Sequence, residues 1–137
     1  MSAPRPRPAA VGAAERFWSA VAAGEVRLQR CRACGAYRHP PRPVCPECRS
    51  GADEWVPASG GGEVWSFTIC HPPVLAAFAA RVPYAAVVVR LDEGVFMVSN
   101  VVDDPPDGIE IGARVTIECV AVDEGLVLPQ FRLALPS

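Results

Sequence analysis

Lysine is absent from this chain of 137 residues, and its thirteen basic residues are all arginine. Fifteen acidic residues leave a formal net charge of −2. A chain without a basic excess lacks the electrostatic character of a general nucleic-acid binder or of a protein that adheres to anionic membranes. The composition therefore argues against both classes.

Long hydrophobic runs are absent as well. The most apolar stretch, Val74–Val89, is interrupted by Arg81 and Pro83 and is too short to span a bilayer. The opening residues, MSAPRPRPAAVG, have no apolar segment behind their arginines, so they are not typical of a secretory signal. We expect a soluble, cytoplasmic protein.

Proline and glycine are abundant, with fifteen and eleven residues, while half of the chain is hydrophobic. Such a composition is globular but unsuited to a mostly helical protein. We expect a tail and helix over residues 1–28, a cysteine-rich segment over 29–57 and a β-domain over 58–137. The first eleven residues, rich in Pro and Arg, are expected to be disordered, and Gly60–Gly62 is expected to act as a hinge.

Alternation and turn residues predict the secondary structure. A helix is expected over Ala13–Ala23, with Gly24 as its C-terminal cap. About two further helical turns are expected over Val74–Arg81, and a loop over Asp103–Gly112. Five strands are expected, the second of them buried on both faces: Val64–Ile69, Tyr84–Leu91, Val95–Val101, Arg114–Val122 and Leu126–Leu133. Asp92–Gly94 and Asp123–Gly125 would turn two hairpins, and five short antiparallel strands favour an all-β, OB-fold barrel.

Four of the six cysteines form two Cys-x-x-Cys pairs, Cys31/Cys34 and Cys45/Cys48. Each pair can aim two sulfurs at one ion from a tight turn, and two pairs complete a tetrahedral zinc site without an open position. We expect one structural zinc per chain. The alternatives are a redox pair, two disulfides or a rubredoxin-like iron site. A redox pair would require a βαβ setting that the sequence lacks. The ligands alone do not distinguish iron from zinc.

The other two cysteines, Cys70 and Cys119, are expected to be small buried hydrophobic residues. His71 follows Cys70, but neighbours on a strand point to opposite faces, so the pair is not a nucleophile and base. The sequence therefore indicates no independent catalytic set.

Several motifs together resemble the DUF35 family over residues 15–134. They are FWSA at 17–20, GEV at 24–26, QRCRACG at 29–35, PRPVCPEC at 41–48, GGGEVWSFT at 60–68, PY at 83–84 and LPQFR at 128–132. The order of helix, cysteine pairs and VWSFT-like strand is more specific than a Cys-x-x-Cys match alone.

The resemblance implies an OB-fold with a rubredoxin-like zinc ribbon that serves as a non-catalytic accessory subunit. Family members associate with thiolase-like aldolases or acyltransferases, and some with MaoC-like enoyl-CoA hydratases, in lipid, sterol or polyketide chemistry. The OB-fold is expected to contact an acyl-CoA thioester. The four ribbon cysteines carry over as zinc ligands, and no catalytic residue does.

Candidate contacts beyond the metal follow from residue type. Arg81, His71 and Trp65 are candidates for ligand binding, whereas Phe17 and Trp18 either cover the barrel or anchor a partner. Six arginines surround the cysteine pairs: Arg27, Arg30, Arg32, Arg38, Arg42 and Arg49. They suit the phosphates of CoA or an acidic partner, and they keep open the alternative of an OB-fold and zinc-ribbon module that binds nucleic acid.

Overall fold

The computed structural model describes residues 4–102 and 109–134. Its first element is the helix α1 (Ala14–Ala22), which Gly24 ends in the left-handed conformation, with φ of 88° and an N–H donated to the carbonyl of Val21. The helix and its cap are confirmed. Phe17 and Val21 form the buried face of α1.

A small antiparallel sheet follows, and its order is β2-β1-β3. Its strands are β1 (Arg27–Cys31), β2 (Tyr37–Arg38) and β3 (Asp53–Pro57). The sequence shows no clear alternation here, and these three strands were not expected from it.

The second sheet has five antiparallel strands in the order β6-β5-β4-β7-β8. They are β4 (Gly61–Cys70), β5 (Tyr84–Leu91), β6 (Phe96–Asn100), β7 (Arg114–Asp123) and β8 (Leu126–Leu133). All five predicted strands and both predicted hairpins are confirmed. Directly after the edge strand β6, Val101 forms a parallel bridge with Phe131 of the other edge strand, β8, and the N–H of Val102 donates to the Phe131 carbonyl over 2.8 Å. This order and this contact fit the OB-fold, although no full ladder between β6 and β8 closes the sheet within the described residues.

Strand β5 is buried on one face, which corrects the expectation of burial on both faces. Ala85, Val87, Val89 and Leu91 are inaccessible, whereas Arg90 is exposed and the other outward side chains are half-buried. The outer face of an antiparallel sheet can remain in contact with water, so an apolar sequence alone did not require a second covering layer.

Gly60–Gly62 is not a hinge. Gly61 and Gly62 begin β4 and pair with β7, and Gly62 also pairs with Leu91 of β5. A Cβ on Gly62 would come within 2.7 Å of the Arg90 carbonyl oxygen. Glycine is therefore required there by close strand packing.

Three further expectations concern the 3-10 turn, the loop before β7 and the N-terminal tail. The segment Val74–Arg81 forms one 3-10 turn, Ala76–Phe78, rather than two helical turns. Part of the predicted loop over 103–112 lies outside the described residues. Residues 4–11 form neither helix nor strand, and Arg5 among them is buried; the expected disorder of the first eleven residues stays a prediction.

One hydrophobic core joins both sheets and the helix. It contains residues from α1, from β1 and from the five-stranded sheet, among them Phe17, Val21, Leu28, Val87 and Phe131. No helix within the described ranges is long and apolar enough to cross a membrane.

Candidate metal centre

Two turns of similar backbone geometry present the ribbon cysteines. In the first turn the Gly35 N–H donates to the Cys31 carbonyl over 2.9 Å, and in the second the Arg49 N–H donates to the Cys45 carbonyl over 2.8 Å. Gly35 and Arg49 both have positive φ, 80° and 66°. Glycine adopts this conformation without steric cost, whereas Arg49 adopts it as a non-glycine residue.

The four sulfurs converge. All four Sγ atoms lie within 4.8 Å of one another, with 3.5 Å between Cys31 and Cys48 and 3.6 Å between Cys34 and Cys45. A tetrahedron of sulfurs at a zinc–sulfur distance of about 2.3 Å has edges of roughly 3.8 Å. The cluster therefore matches a four-thiolate metal site, and the predicted ligand set is brought together.

Backbone amides already favour ionised sulfur at two positions. The N–H of Cys34 lowers the pKa of the Cys31 thiol to about 6, and the N–H of Cys48 lowers the pKa of Cys45. The Ala36 N–H acts in the same direction on Cys34, but burial and the neighbouring thiols raise the pKa of Cys34 to about 12. Four sulfurs this close cannot all be anionic without a cation, and a divalent metal would remove that conflict.

Buried polar side chains hold the ribbon sheet beneath the cysteines. Gln29 is 1% exposed; its Nε2 donates to the Arg42 carbonyl over 2.8 Å and to Asp53, and its Oε1 accepts the Arg42 N–H over 2.9 Å. The buried guanidinium of Arg38 lies 3.5 Å from the same Asp53 carboxylate. These contacts fix the proline-rich connection between the two cysteine turns.

The donor set fits a structural metal. Soft thiolates in tetrahedral arrangement are typical of zinc and also suit iron, and four protein ligands leave no position for a substrate. Cys31 and Cys45 are buried, whereas Cys34 and Cys48 are exposed at the surface.

Two family models match the chain in succession. Residues 18–54 match the ChsH2 rubredoxin-like zinc ribbon domain, and residues 55–120 match the ChsH2 C-terminal OB-fold domain. The chain is also similar to a solved chain of an "Ltp2-ChsH2(DUF35) aldolase", with 40% identity and a TM-score of 0.86 over 94% of this chain and 100% of that one. The chain belongs to the DUF35 family.

Curated relatives of this DUF35 chain carry two kinds of name. A probable enoyl-CoA hydratase alpha subunit of Thermomonospora curvata is 42% identical over 134 residues, which are 97% of this chain and 41% of the relative. A DUF35 domain-containing scaffold protein of Methanothermobacter thermautotrophicus is 39% identical over 87 residues, 63% of this chain and 65% of the relative. The chain thus spans about two fifths of the hydratase subunit and just under two thirds of the scaffold protein.

The three residues predicted to bind a ligand are not gathered at one place in this DUF35 structure. Trp65 lies at a β-bulge of β4 and makes an edge contact with Phe96, at 5.3 Å between ring centroids. Arg81 follows the 3-10 turn and lines a small cavity with Arg5, while His71 is exposed at the end of β4. Their ligand roles stay predictions.

The aromatic pair on α1 has two environments. Phe17 is 3% exposed and belongs to the core, so it covers the barrel rather than facing a partner. Trp18 is half-buried and packs edge-on against Phe17, at 5.0 Å between ring centroids. A partner contact at Trp18 stays a prediction.

Several ribbon arginines already have contacts inside the DUF35 fold. Arg27 pairs with Glu25 at 3.1 Å, Arg38 lies beside Asp53, and Arg30 donates to the Gly35 carbonyl over 3.1 Å. The remaining three are exposed at the surface, namely Arg32, Arg42 and Arg49. Half of the predicted basic cluster therefore serves the ribbon itself.

Sequence reasoning did not predict the burial of three polar residues, Gln29, Arg38 and Arg5. Gln29 and Arg38 are buried polar residues of the ribbon, and a polar residue within a short strand gives no burial signal of its own. Arg5 lies in a segment whose composition indicated disorder.

The two cysteines outside the ribbon, Cys70 and Cys119, are half-buried. Burial raises the pKa of Cys119, which is opposite to the activation that a nucleophile requires.

Proposed function

We propose that this DUF35 chain is a non-catalytic accessory subunit of an acyl-CoA-processing complex and that its partner is a thiolase-like aldolase or acyltransferase. The observation that carries the proposal is the similarity to the Ltp2-ChsH2(DUF35) aldolase, because this chain covers the whole of the solved chain at 40% identity. The Methanothermobacter relative is named a scaffold protein, which favours a structural rather than a catalytic role. A hydratase partner of MaoC type is the second candidate, favoured by the name of the Thermomonospora relative.

The chemistry of the chain supports this assignment. The four sulfurs of the ribbon would enclose their metal completely, so the metal would stabilise the fold and not activate a substrate. We assign that metal as one zinc per chain, supported by the four-thiolate donor set and the match to a zinc ribbon model. Ordered thiols that serve as metal ligands are typical of a reducing compartment, which supports the cytoplasmic location.

An apolar patch on the outer face of β4–β6 supports a protein partner. Trp65, Phe96 and Val98 are 53%, 42% and 71% exposed, and Trp65 and Phe96 are in ring contact. Aromatic residues on an otherwise solvated face are typical of the centre of an interface. The apolar patch, rather than the buried Phe17, is the surface we assign to the partner subunit.

A nucleic-acid role has less support. The curated relatives are named as an enoyl-CoA hydratase subunit and a scaffold protein, the net charge is −2, and several ribbon arginines are engaged within the fold. We expect no submicromolar binding of single-stranded DNA or RNA at physiological salt. A steep salt dependence of such binding would count neutralised phosphates and would favour the alternative.

The test is a reconstitution. Tagged chain is used to purify a thiolase-like or hydratase partner from the native organism, and that partner is then assayed with and without the chain. We expect the chain alone to turn over no acyl-CoA and to raise the activity and yield of its partner. Separate elution on size exclusion at micromolar concentration, together with equal partner activity in both assays, would remove the proposal.

Interface variants sharpen the reconstitution. Val98→Asp places a charge in the apolar patch and should abolish co-elution, whereas Ile111→Asp changes another exposed apolar residue, 70% accessible, outside that patch and should not. Both side chains are exposed, so neither substitution should disturb the core. Co-elution of the Val98→Asp variant at wild-type strength would move the interface elsewhere without affecting the accessory role.

A further inference from the structure

A small cavity lies where the N-terminal segment crosses the barrel. Its volume is about 240 Å³, and it is partly open to solvent. It is lined by Pro4, Arg5, Ala77, Ala80, Arg81, Val122 and Asp123. The cavity is separate from the metal centre and joins three parts of the chain: the N-terminal segment, the 3-10 turn with the residues that follow it, and the end of β7.

Arg5 is fixed in this cavity rather than free in solution. Its backbone N–H donates to Oδ2 of Asp123 over 3.0 Å, and its guanidinium lies over the ring of Phe78, 5.3 Å from the centroid. Arg5 is only 8% exposed. A stacked guanidinium keeps its in-plane N–H donors available for an anion.

Two cations share the cavity. Arg81 is exposed at the rim of the cavity. Burial is the main cause that lowers the pKa of Arg5 below the ordinary arginine value, and the charge of Arg81 adds to it. Two guanidinium groups that face one cavity repel each other unless an anion lies between them.

Asp123, the acidic residue of the lining, does not neutralise both guanidinium groups. Oδ2 of Asp123 accepts the Arg5 N–H and Oδ1 accepts the Glu124 N–H over 2.8 Å, so both oxygens are engaged by the backbone. These amides are the first cause of the lowered pKa of Asp123. With two guanidiniums and one carboxylate, the cavity keeps a surplus of one positive charge.

We propose that the cavity between Arg5 and Arg81 binds a phosphate group, with the two guanidiniums donating to its oxygens. The space accommodates several water molecules, which is enough for a tetrahedral oxyanion. Planar guanidinium groups match phosphate geometry in paired hydrogen bonds. The identity of the source rests on the proposed function, under which the phosphate belongs to the nucleotide part of an acyl-CoA.

The test is a titration of the isolated, zinc-loaded chain, which needs no partner enzyme. Inorganic phosphate, coenzyme A and dephospho-coenzyme A are titrated separately by calorimetry into wild type, Arg81→Gln, Arg5→Gln and the control Arg16→Gln. Arg16 is an exposed residue of α1 that lies outside this cavity, so its substitution changes net charge equally. Retained zinc and an unchanged far-ultraviolet spectrum would show that each variant is folded.

We expect coenzyme A to bind wild type and Arg16→Gln alike and to bind Arg81→Gln and Arg5→Gln about tenfold or more weakly, as loss of a charge-assisted hydrogen bond implies. A matching loss for dephospho-coenzyme A would assign the diphosphate, and a loss seen only with coenzyme A would assign the 3′-phosphate. Binding of inorganic phosphate alone, with the same variant pattern, would assign a free phosphate ion. Absence of binding of all three probes, or equal losses in Arg16→Gln, would overturn the site while leaving the accessory-subunit proposal untouched.

Discussion

His39 is a half-buried titratable residue of the ribbon that packs against the ring of Phe17, at 5.1 Å between centroids. Burial lowers the pKa of His39 from 6.5 to about 4. Between these two pH values the unfolded chain binds a proton at His39 that the folded chain excludes. The contribution of His39 to the free energy of unfolding is therefore fully present above pH 6.5 and is lost as the pH falls toward 4. The contribution is about 3 kcal/mol at most, because each pKa unit corresponds to about 1.4 kcal/mol.

We predict that His39→Gln flattens the decline of unfolding free energy between pH 6.5 and pH 4, measured by urea denaturation at closely spaced pH values. His71→Gln is the matched control, because His71 is exposed. Both variants retain the four ribbon cysteines, so acid release of the metal affects them equally. Parallel pH profiles for His39→Gln and wild type would contradict the prediction.

Gln29 provides a second prediction at the scale of one residue. Gln29→Leu keeps the volume of the side chain but removes the partners of the Arg42 N–H and carbonyl. We expect a loss of about 1–3 kcal/mol in unfolding free energy, the usual cost of buried polar groups without partners. Arg42→Ala is the control: it removes an exposed side chain and leaves both backbone bonds in place, so it should be nearly neutral. A loss of equal size in both variants would show that the hydrogen bonds between Gln29 and the Arg42 backbone are unimportant for stability.

The start of β4 gives a prediction at the scale of one element. A Cβ at Gly62 would lie 2.7 Å from the Arg90 carbonyl oxygen and from Cγ1 of Val89, so β4 and β5 would have to separate. We expect Gly62→Ala to cost about 1–3 kcal/mol, the range for overpacked sites. Gly51→Ala is the comparison, because its nearest heavy atom is 3.9 Å away and its φ is not positive. The measurement is thermal denaturation of the two variants side by side. Equal midpoints for Gly62→Ala and Gly51→Ala would contradict the prediction.

The elements that the sequence predicted are those whose side chains repeat with a clear period. Strands β5, β7 and β8 appear within a residue or so of their expected bounds, since each combines apolar residues with an adjacent turn such as Asp92–Gly94. The cysteine spacing predicted the metal ligands because two short turns determine where the sulfurs lie.

The elements that were missed depend on contacts remote in sequence. Strands β1 and β3 are short and polar, and their pairing relies on residues about 25 apart, such as Gln29 opposite Trp55. Simple alternation along β4 would place Trp65 on the same face as Phe67 and Ile69. The bulge between Val64 and Ser66 interrupts that alternation, so Trp65 does not share their face. Arg5 is positioned by Asp123, 118 residues away, which no local pattern can reveal.

At the scale of the whole molecule, the helix and the barrel share a core across the intervening ribbon. Phe17 and Val21 of α1 pack with Phe131 of β8, and Leu28 carries the same core into β1. The predicted division into a helical segment, a ribbon over 29–57 and a barrel over 58–137 stays a prediction, but the ribbon is attached to the barrel through buried contacts. Any movement of the ribbon must therefore expose apolar surface.

This arrangement leads to a prediction for metal removal. The sulfurs hold together only the ribbon turns, whereas the five strands of the larger sheet, β4 to β8, contain none of the four clustered cysteines. Chelation should therefore unfold the ribbon, because the energy of binding, of order 10–16 kcal/mol for such sites, contributes directly to its folding. The barrel should stay folded, with α1 docked against β8.

Hydrogen exchange with mass spectrometry can follow both parts of the chain at once. After treatment with a strong chelator, peptides covering β1–β3 should lose protection, while peptides covering β5, β7 and β8 should retain it. Cys34→Ser should reproduce the chelated pattern without chelator, and added zinc should restore the wild type but not the variant. Loss of protection throughout the chain would show instead that the barrel cannot fold apart from the ribbon, because the shared contacts at Leu28 and Phe17 would then be required for both.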